Sequence, residues 1–193
     1  MVQLDVQWLQ IPATVLSLGY TWLAARQSIS AWPVALAGSC IFILISVQTD
    51  LVQDVVLHVF YGITAIWGWL HWRKTATSNK INSISAAKLW GGLWITALPA
   101  LGSFWVLSQL QIGHLPLADA FTTWYSFLGT AWIIFRIRQA WLLFIVIDLV
   151  QAWMYFTLHL YVLVLLYLGY TLLAAYAYHA WGAKMPLKTL KNE

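Results

Sequence analysis

The chain has 193 residues, of which 62% are hydrophobic and only 8% charged, against about 25% charged in a soluble domain. So few charges cannot build a water-facing surface, which excludes a soluble globular fold and makes lipid the solvent. The net charge of +4, from ten basic and six acidic residues, would suit nucleic acid, but the placement of the basic residues assigns them instead to topology and anionic lipid.

The N-terminus, Met1 to Gln10, has no basic stretch and contains Asp5, so the first apolar segment is expected to be retained rather than cleaved as a signal. A helix needs about 20 apolar residues to span the hydrocarbon core. Seven candidates follow in order: 9–26, 31–49, 51–72, 87–110, 118–136, 139–157 and 160–181. The predicted fold is therefore an all-α membrane protein of seven transmembrane helices in a single transmembrane domain. Most connections are short. The exceptions are a polar loop from Lys74 to Ser85 and a basic tail. The lone cysteine, Cys40, lies in the second segment and excludes an intramolecular disulfide.

With seven spans, every basic residue falls on one side: Arg26, then Arg73, Lys74, Lys80 and Lys88, then Arg136 and Arg138, then Lys184, Lys188 and Lys191. Asp5, Asp50, Asp54 and Asp119 fall on the other. By the positive-inside rule the N-terminus is outside and the C-terminus cytoplasmic.

The two ends of the chain resemble each other. Leu18-Gly19, Trp22 and Arg26 match Leu128-Gly129, Trp132 and Arg136; with one residue deleted, Trp32 matches Trp141, Tyr61 matches Tyr170 and Trp72 matches Trp181. Residues 9–72 then form a first three-helix repeat, 87–110 a connector and 118–181 a second repeat. Four helices separate the two starts, so the repeats run in the same direction, with a pseudo-two-fold axis expected along the membrane normal.

Segment 6 holds an aspartate in mid-span. Trp141, Phe144, Asp148, Gln151 and Tyr155 recur at spacings of three and four and so share one helix face. A carboxylate in lipid costs about 2.5–3.5 kcal/mol on insertion scales. Asp148 is thus expected to face the protein interior, either as the counter-charge of a cationic solute flanked by aromatic faces or as a structural hydrogen-bonding group. Segments 3 and 7 carry matching stripes, His58, Tyr61, Ala65, Gly68 and Trp72 against Tyr167, Tyr170, Ala174, Ala177 and Trp181. The small residues would allow close helix approach, with the polar ends rimming a cleft. For Trp72 and Trp181 the favoured reading is helix packing and an interfacial aromatic belt. For Tyr61 and Tyr170 packing and binding are equally supported.

Enzymatic chemistry finds no motif. The histidines His58, His71, His114, His159 and His179 do not form a paired-ligand helix, and there is neither a nucleophile elbow nor a phosphate loop. Neither a cofactor nor a metal is expected.

Three stretches give the chain a family likeness: Phe60-Tyr-Gly-Ile-Thr-Ala-Ile-Trp-Gly-Trp-Leu-His-Trp72, Asp119-Ala-Phe-x-x-Trp124-x-Ser126 and Arg138-x-x-Trp141-Leu-Leu-Phe144, with Trp8 and Leu23-Ala24 fitting as well. In these it resembles the PnuC family of bacterial vitamin transporters over nearly its whole length. The resemblance implies three helices, a connector and three more, related to the sugar-transporting SWEET proteins. It also implies residence in the bacterial cytoplasmic (inner) membrane, facilitated diffusion with metabolic trapping of the vitamin, and a homotrimer. Riboside transporters of this family have Trp where this chain has Phe144, and Asn where it has Asp148, Tyr176 and Ala31. That thins the groups suited to a ribose and a carboxamide and leaves an acid suited to a cation. The sequence therefore ranks thiamine first and nicotinamide riboside second, with a non-transporting membrane receptor or assembly factor as the alternative of another class. The candidate solute-binding set is Asp148, Phe144, Gln151, Trp141, Tyr61, Tyr170, Trp124, Tyr176, His58 and Tyr167.

Overall fold

In lipid a backbone amide has no water to bond, so each apolar run must satisfy its own polar groups as a helix. The computed structural model describes residues 6–48, 52–76, 80–112 and 115–184. Asp5, Asp50, His114, Lys188 and Lys191 lie outside the described residues, and Asp54 outside the described side chains. Seven helices occupy these segments: α1 (Val6–Ala25), α2 (Ala31–Gln48), α3 (Val52–Lys74), α4 (Ala86–Leu110), α5 (Pro116–Ile134), α6 (Ala140–Thr157) and α7 (Tyr161–Ala183). Each predicted segment corresponds to one helix, with ends shifted by a turn or less. By length and composition α2, α4, α6 and α7 are apolar enough to cross a membrane. The others are long enough but more polar; α5, for example, buries Thr122, Ser126 and Thr130 against protein.

Four helices end in the same way, at a non-glycine residue in the left-handed region: Gln27 (φ 60), Gln111 (φ 53), Arg136 (φ 53) and His159 (φ 59). At each one, two amides fold back. Those of Gln27 and Ser28 donate to Ala24 and Leu23 at 2.9 Å, and those of Arg136 and Ile137 to Ile133 and Trp132 at 2.9 and 2.8 Å. These paired bonds are the Schellman arrangement, which satisfies carbonyls that the helix end would leave open. The left-handed backbone costs about 1–2 kcal/mol for a residue with a Cβ, and the recovered bonds offset it. Arg136 also ends α5 two residues before the predicted boundary.

The chain divides into two compact units, Met1–Asn79 and Lys80–Glu193. In the first, α2 packs against both α1 and α3; in the second, α4 packs on α5, α5 on α6 and α6 on α7. The connector helix thus belongs with the second repeat. Inside each unit the same device locks the helices. Trp32 and Trp72 meet edge to face, 5.2 Å apart at 88°, and Trp141 and Trp181 do so at 5.4 Å and 88°. All four are buried, so Trp72 and Trp181 are packing residues and not part of an interfacial belt. Trp22 and Trp69 are instead exposed, with Arg26 and Arg73 lying over their rings at 5.7 and 5.4 Å. Gly68 is required by this packing, since a Cβ there would fall 2.4 Å from the Trp32 ring. Ala65, Ala174 and Ala177 are buried as the small-residue reading expects.

The internal repeat is therefore present in the geometry, but its register differs from the sequence alignment near the end of α1. The cap bonds equate Gln27 with Arg136 and Leu23 with Trp132, not Arg26 with Arg136 or Trp22 with Trp132. The side chains agree with the cap bonds: Trp22 and Arg26 are exposed, Trp132 and Arg136 buried.

The second unit also holds a clasp. The segment before α4 runs beside the α5–α6 turn as an isolated parallel bridge, Asn82 to Ile137. The Asn82 amide donates to the Arg136 carbonyl and the Arg138 amide to the Asn82 carbonyl, both at 2.9 Å. Asn82 Nδ2 donates to Phe135 O at 3.0 Å. Gln139 donates to Ser83 Oγ (2.7 Å) and Ile84 O (3.0 Å) and accepts from the Ile84 amide (3.3 Å), while Ile81 is buried. Arg138 lies 3.7 Å over the Tyr178 ring and donates from Nε to the Tyr178 carbonyl at 3.0 Å. Gly182 leaves the room its guanidinium occupies. Arg136 and Arg138, read from sequence as topology markers in contact with lipid, are thus built into the fold.

Candidate solute-binding site

The α6 face carrying Asp148 begins at Trp141, which its edge-to-face partner on α7 fixes. One turn on, Phe144 lies over Gly129 of α5, where an added Cβ would stand 2.8 Å from the ring. The first unit solves the same packing problem with the sizes exchanged. In the structural register Tyr20 stands where the second unit has Gly129, and Ala35 where it has Phe144. Tyr20 accordingly supplies the ring beside Trp32, with centroids 6.1 Å apart, against 6.3 Å for Trp141 and Phe144. One consequence is that Phe144 belongs to α6 and therefore lies on the same face as Asp148.

Asp148 is 8% exposed. Among the described residues its carboxylate has no hydrogen-bond partner and no ion pair. The helices α5, α6 and α7 contain no Lys or Arg. A buried charge without a partner is costly. Gln151, half-buried, continues the face. Tyr155 closes it by stacking on Tyr167 at 5.3 Å and 27°, and Tyr167 meets Tyr170 at 5.6 Å. In the first unit His58 stacks on Phe42 at 4.5 Å and 5° and reaches Tyr61 at 5.9 Å. Within the second unit, then, the structure assembles Trp141, Phe144, Asp148 and Gln151 on one helix face, with Tyr167 and Tyr170 joined at its end. His58 and Tyr61 form a matching cluster in the first unit.

Two further candidates stand apart. The indole of Trp124 donates to Ser103 Oγ on α4 at 2.9 Å, which ties α5 to the connector. Tyr176 is 46% exposed at the surface of its unit, as is Trp67 at the equivalent position. Sequence reasoning missed Gly129, whose lack of a side chain seats Phe144. The sequence alignment paired it with Gly19, whereas the cap register puts Tyr20 at the corresponding place, so the sequence carried no signal for the space Gly129 leaves.

Residues 7–183 match the family model described as nicotinamide mononucleotide transporter. The chain is 20% identical over 205 aligned residues to the nicotinamide riboside transporter PnuC of Escherichia coli (strain K12), covering 92% of this chain and 86% of that protein. The Shigella flexneri protein of the same name matches equally. A crystal structure of the vitamin B3 transporter PnuC shares the fold, with a TM-score of 0.75 and 20% identity over 91% of this chain and 81% of that one. An all-α fold of this architecture, a repeated three-helix unit and a family match over nearly the whole length agree: the chain is a multi-pass membrane protein and belongs to the nicotinamide mononucleotide transporter family.

Proposed function

We propose that this protein carries nicotinamide riboside, a water-soluble cationic vitamin, across the bacterial cytoplasmic membrane by facilitated diffusion, with trapping by later metabolism. The observation behind this reading is the buried, unpaired carboxylate of Asp148 on an aromatic-lined face, in a chain whose named relatives are nicotinamide riboside transporters. A cation entering this site gains Coulomb energy in a low effective dielectric, and planar rings replace part of the water it sheds. The sequence ranked thiamine ahead of the riboside. Both are cations, so Asp148 supports either, and the names of the relatives reverse the order. Asp148, Phe144, Gln151 and Trp141 form the heart of the proposed site. Tyr167 and Tyr170 flank it, and Tyr61 and His58 are their counterparts in the first repeat. Titrating the purified protein with nicotinamide riboside, thiamine and riboflavin tests the assignment. The riboside should bind tightest and neutral riboflavin weakest; tighter binding of thiamine would restore the sequence-based order.

A further inference from the structure

A serine or threonine inside a membrane helix ordinarily turns its hydroxyl back onto the carbonyl one turn earlier, because no water is at hand to bond it. Ser17, Thr21, Ser39, Thr122 and Thr171 do so, each donating to the residue four positions before it at 2.9 to 3.0 Å. Ser126 and Thr130 of α5 depart from this habit. They are 8% and 7% exposed, and among the described residues neither hydroxyl has a hydrogen-bond partner. The place of Ser126 follows from the packing of α5 on α6. Trp124 and Tyr125 reach toward the connector, donating to Ser103 Oγ and the Leu93 carbonyl at 2.9 and 3.0 Å. Gly129 faces α6, where the Phe144 ring covers it, and Ser126, three residues earlier, lies on the same side of the helix. The two helices run antiparallel across a short turn, so one turn from the Gly129–Phe144 contact leads to Ser126 on α5 and to Asp148 on α6. Both residues are buried, and they are not bonded to each other.

We infer that Ser126 is a solute-contacting and specificity-determining residue of the Asp148 site. Both belong to the same compact unit, so the pair draws on nothing from the first repeat. The two positions differ in the chemistry they offer. Asp148 offers charge to a cation, and Ser126, on the neighbouring helix, offers a neutral donor and acceptor to a hydroxyl or amide group on the same solute. Nicotinamide riboside carries both features, a pyridinium charge and the hydroxyls and carboxamide around it. This deepens the proposed function and rests on it for the identity of the solute. The competing role is helix spacing alone, with Ser126 a small residue that lets α5 approach α6.

Two measurements separate these roles. The chain has one cysteine, Cys40, so Ser126→Cys in a Cys40→Ser background presents a single thiol. In proteoliposomes that thiol should react with a membrane-impermeant, positively charged methanethiosulfonate, and saturating nicotinamide riboside should slow the reaction several-fold. A thiol that reacts only in unfolded protein, or at a rate that bound vitamin leaves unchanged, would overturn the inference. In the second measurement, Ser126→Ala should weaken riboside binding about two- to tenfold, the range for one neutral hydrogen bond. Its melting temperature should hold or rise, because the hydroxyl has no bond within the fold to lose. Thr122→Ala, one turn away, removes a hydroxyl already bonded within α5 and should leave the affinity unchanged. A lower melting temperature for Ser126→Ala with unchanged affinity would make Ser126 a spacing residue. If the unmodified protein binds no riboside, the proposed function fails, and the labelling of Ser126→Cys, repeated with thiamine as the protecting solute, still decides whether Ser126 touches what is carried.

Discussion

Asp148 is a buried carboxylate in a helix apolar enough to cross a membrane, with no Lys or Arg on its own helix or on the two packed against it. Asp148→Asn keeps the shape and removes the charge. Affinity for nicotinamide riboside should fall by about 1.5–3 kcal/mol, the range for a hydrogen bond to a charged group, while a neutral analogue loses much less. Calorimetric titration of the folded variant reads this directly. A purely structural aspartate would instead show altered thermal stability and unchanged affinity. Asp148 was legible in the sequence because one acid in a long apolar run is conspicuous.

At the scale of the helices, the edge-to-face tryptophan pairs set how closely α2 approaches α3 and α6 approaches α7. Gly68→Ala forces a methyl into the buried Trp32 ring, and overpacking of this kind costs about 1–3 kcal/mol. A clear drop in melting temperature is expected in detergent. Ala177→Gly, at the equivalent position, should cost no more than about 1 kcal/mol, the penalty of glycine in a helix. The clasp makes a second prediction. Gln139→Ala removes three hydrogen bonds to the segment before α4 and should lower the melting temperature more than Asn82→Ala, which leaves the two backbone bonds of the bridge in place. Differential scanning fluorimetry on the pair checks the order. The tryptophan pairs were legible because bulky residues recurring at matched positions mark a repeat. The clasp was not, because its partners lie as many as 56 residues apart in sequence and its central bonds are made by backbone, which side-chain patterns do not report. The slip in register has the same origin. Arg26 and Arg136 look alike, but the helix ends are fixed by backbone caps that place Gln27 opposite Arg136.

For the whole molecule, composition alone fixed the solvent, since a chain with 8% charged residues cannot face water, and hydrophobic run lengths gave the seven helices. Orientation rests on the one-sided placement of the ten basic residues. A tag at the N-terminus should be accessible from outside intact cells and one at the C-terminus only after permeabilisation; both tags on one side would break the seven-span topology. The central claim is that these helices form a passive carrier for a cationic vitamin recognised through Asp148. It is tested most directly by uptake of radiolabelled nicotinamide riboside into sealed proteoliposomes at sub-saturating concentration, with no ion gradient imposed. The account predicts that the protein equilibrates the label across the membrane without accumulating it, and that Asp148→Asn slows entry tenfold or more, the rate equivalent of about 1.4 kcal/mol. Uptake no faster than in protein-free liposomes, or Asp148→Asn transporting as well as the unmodified protein, would contradict it.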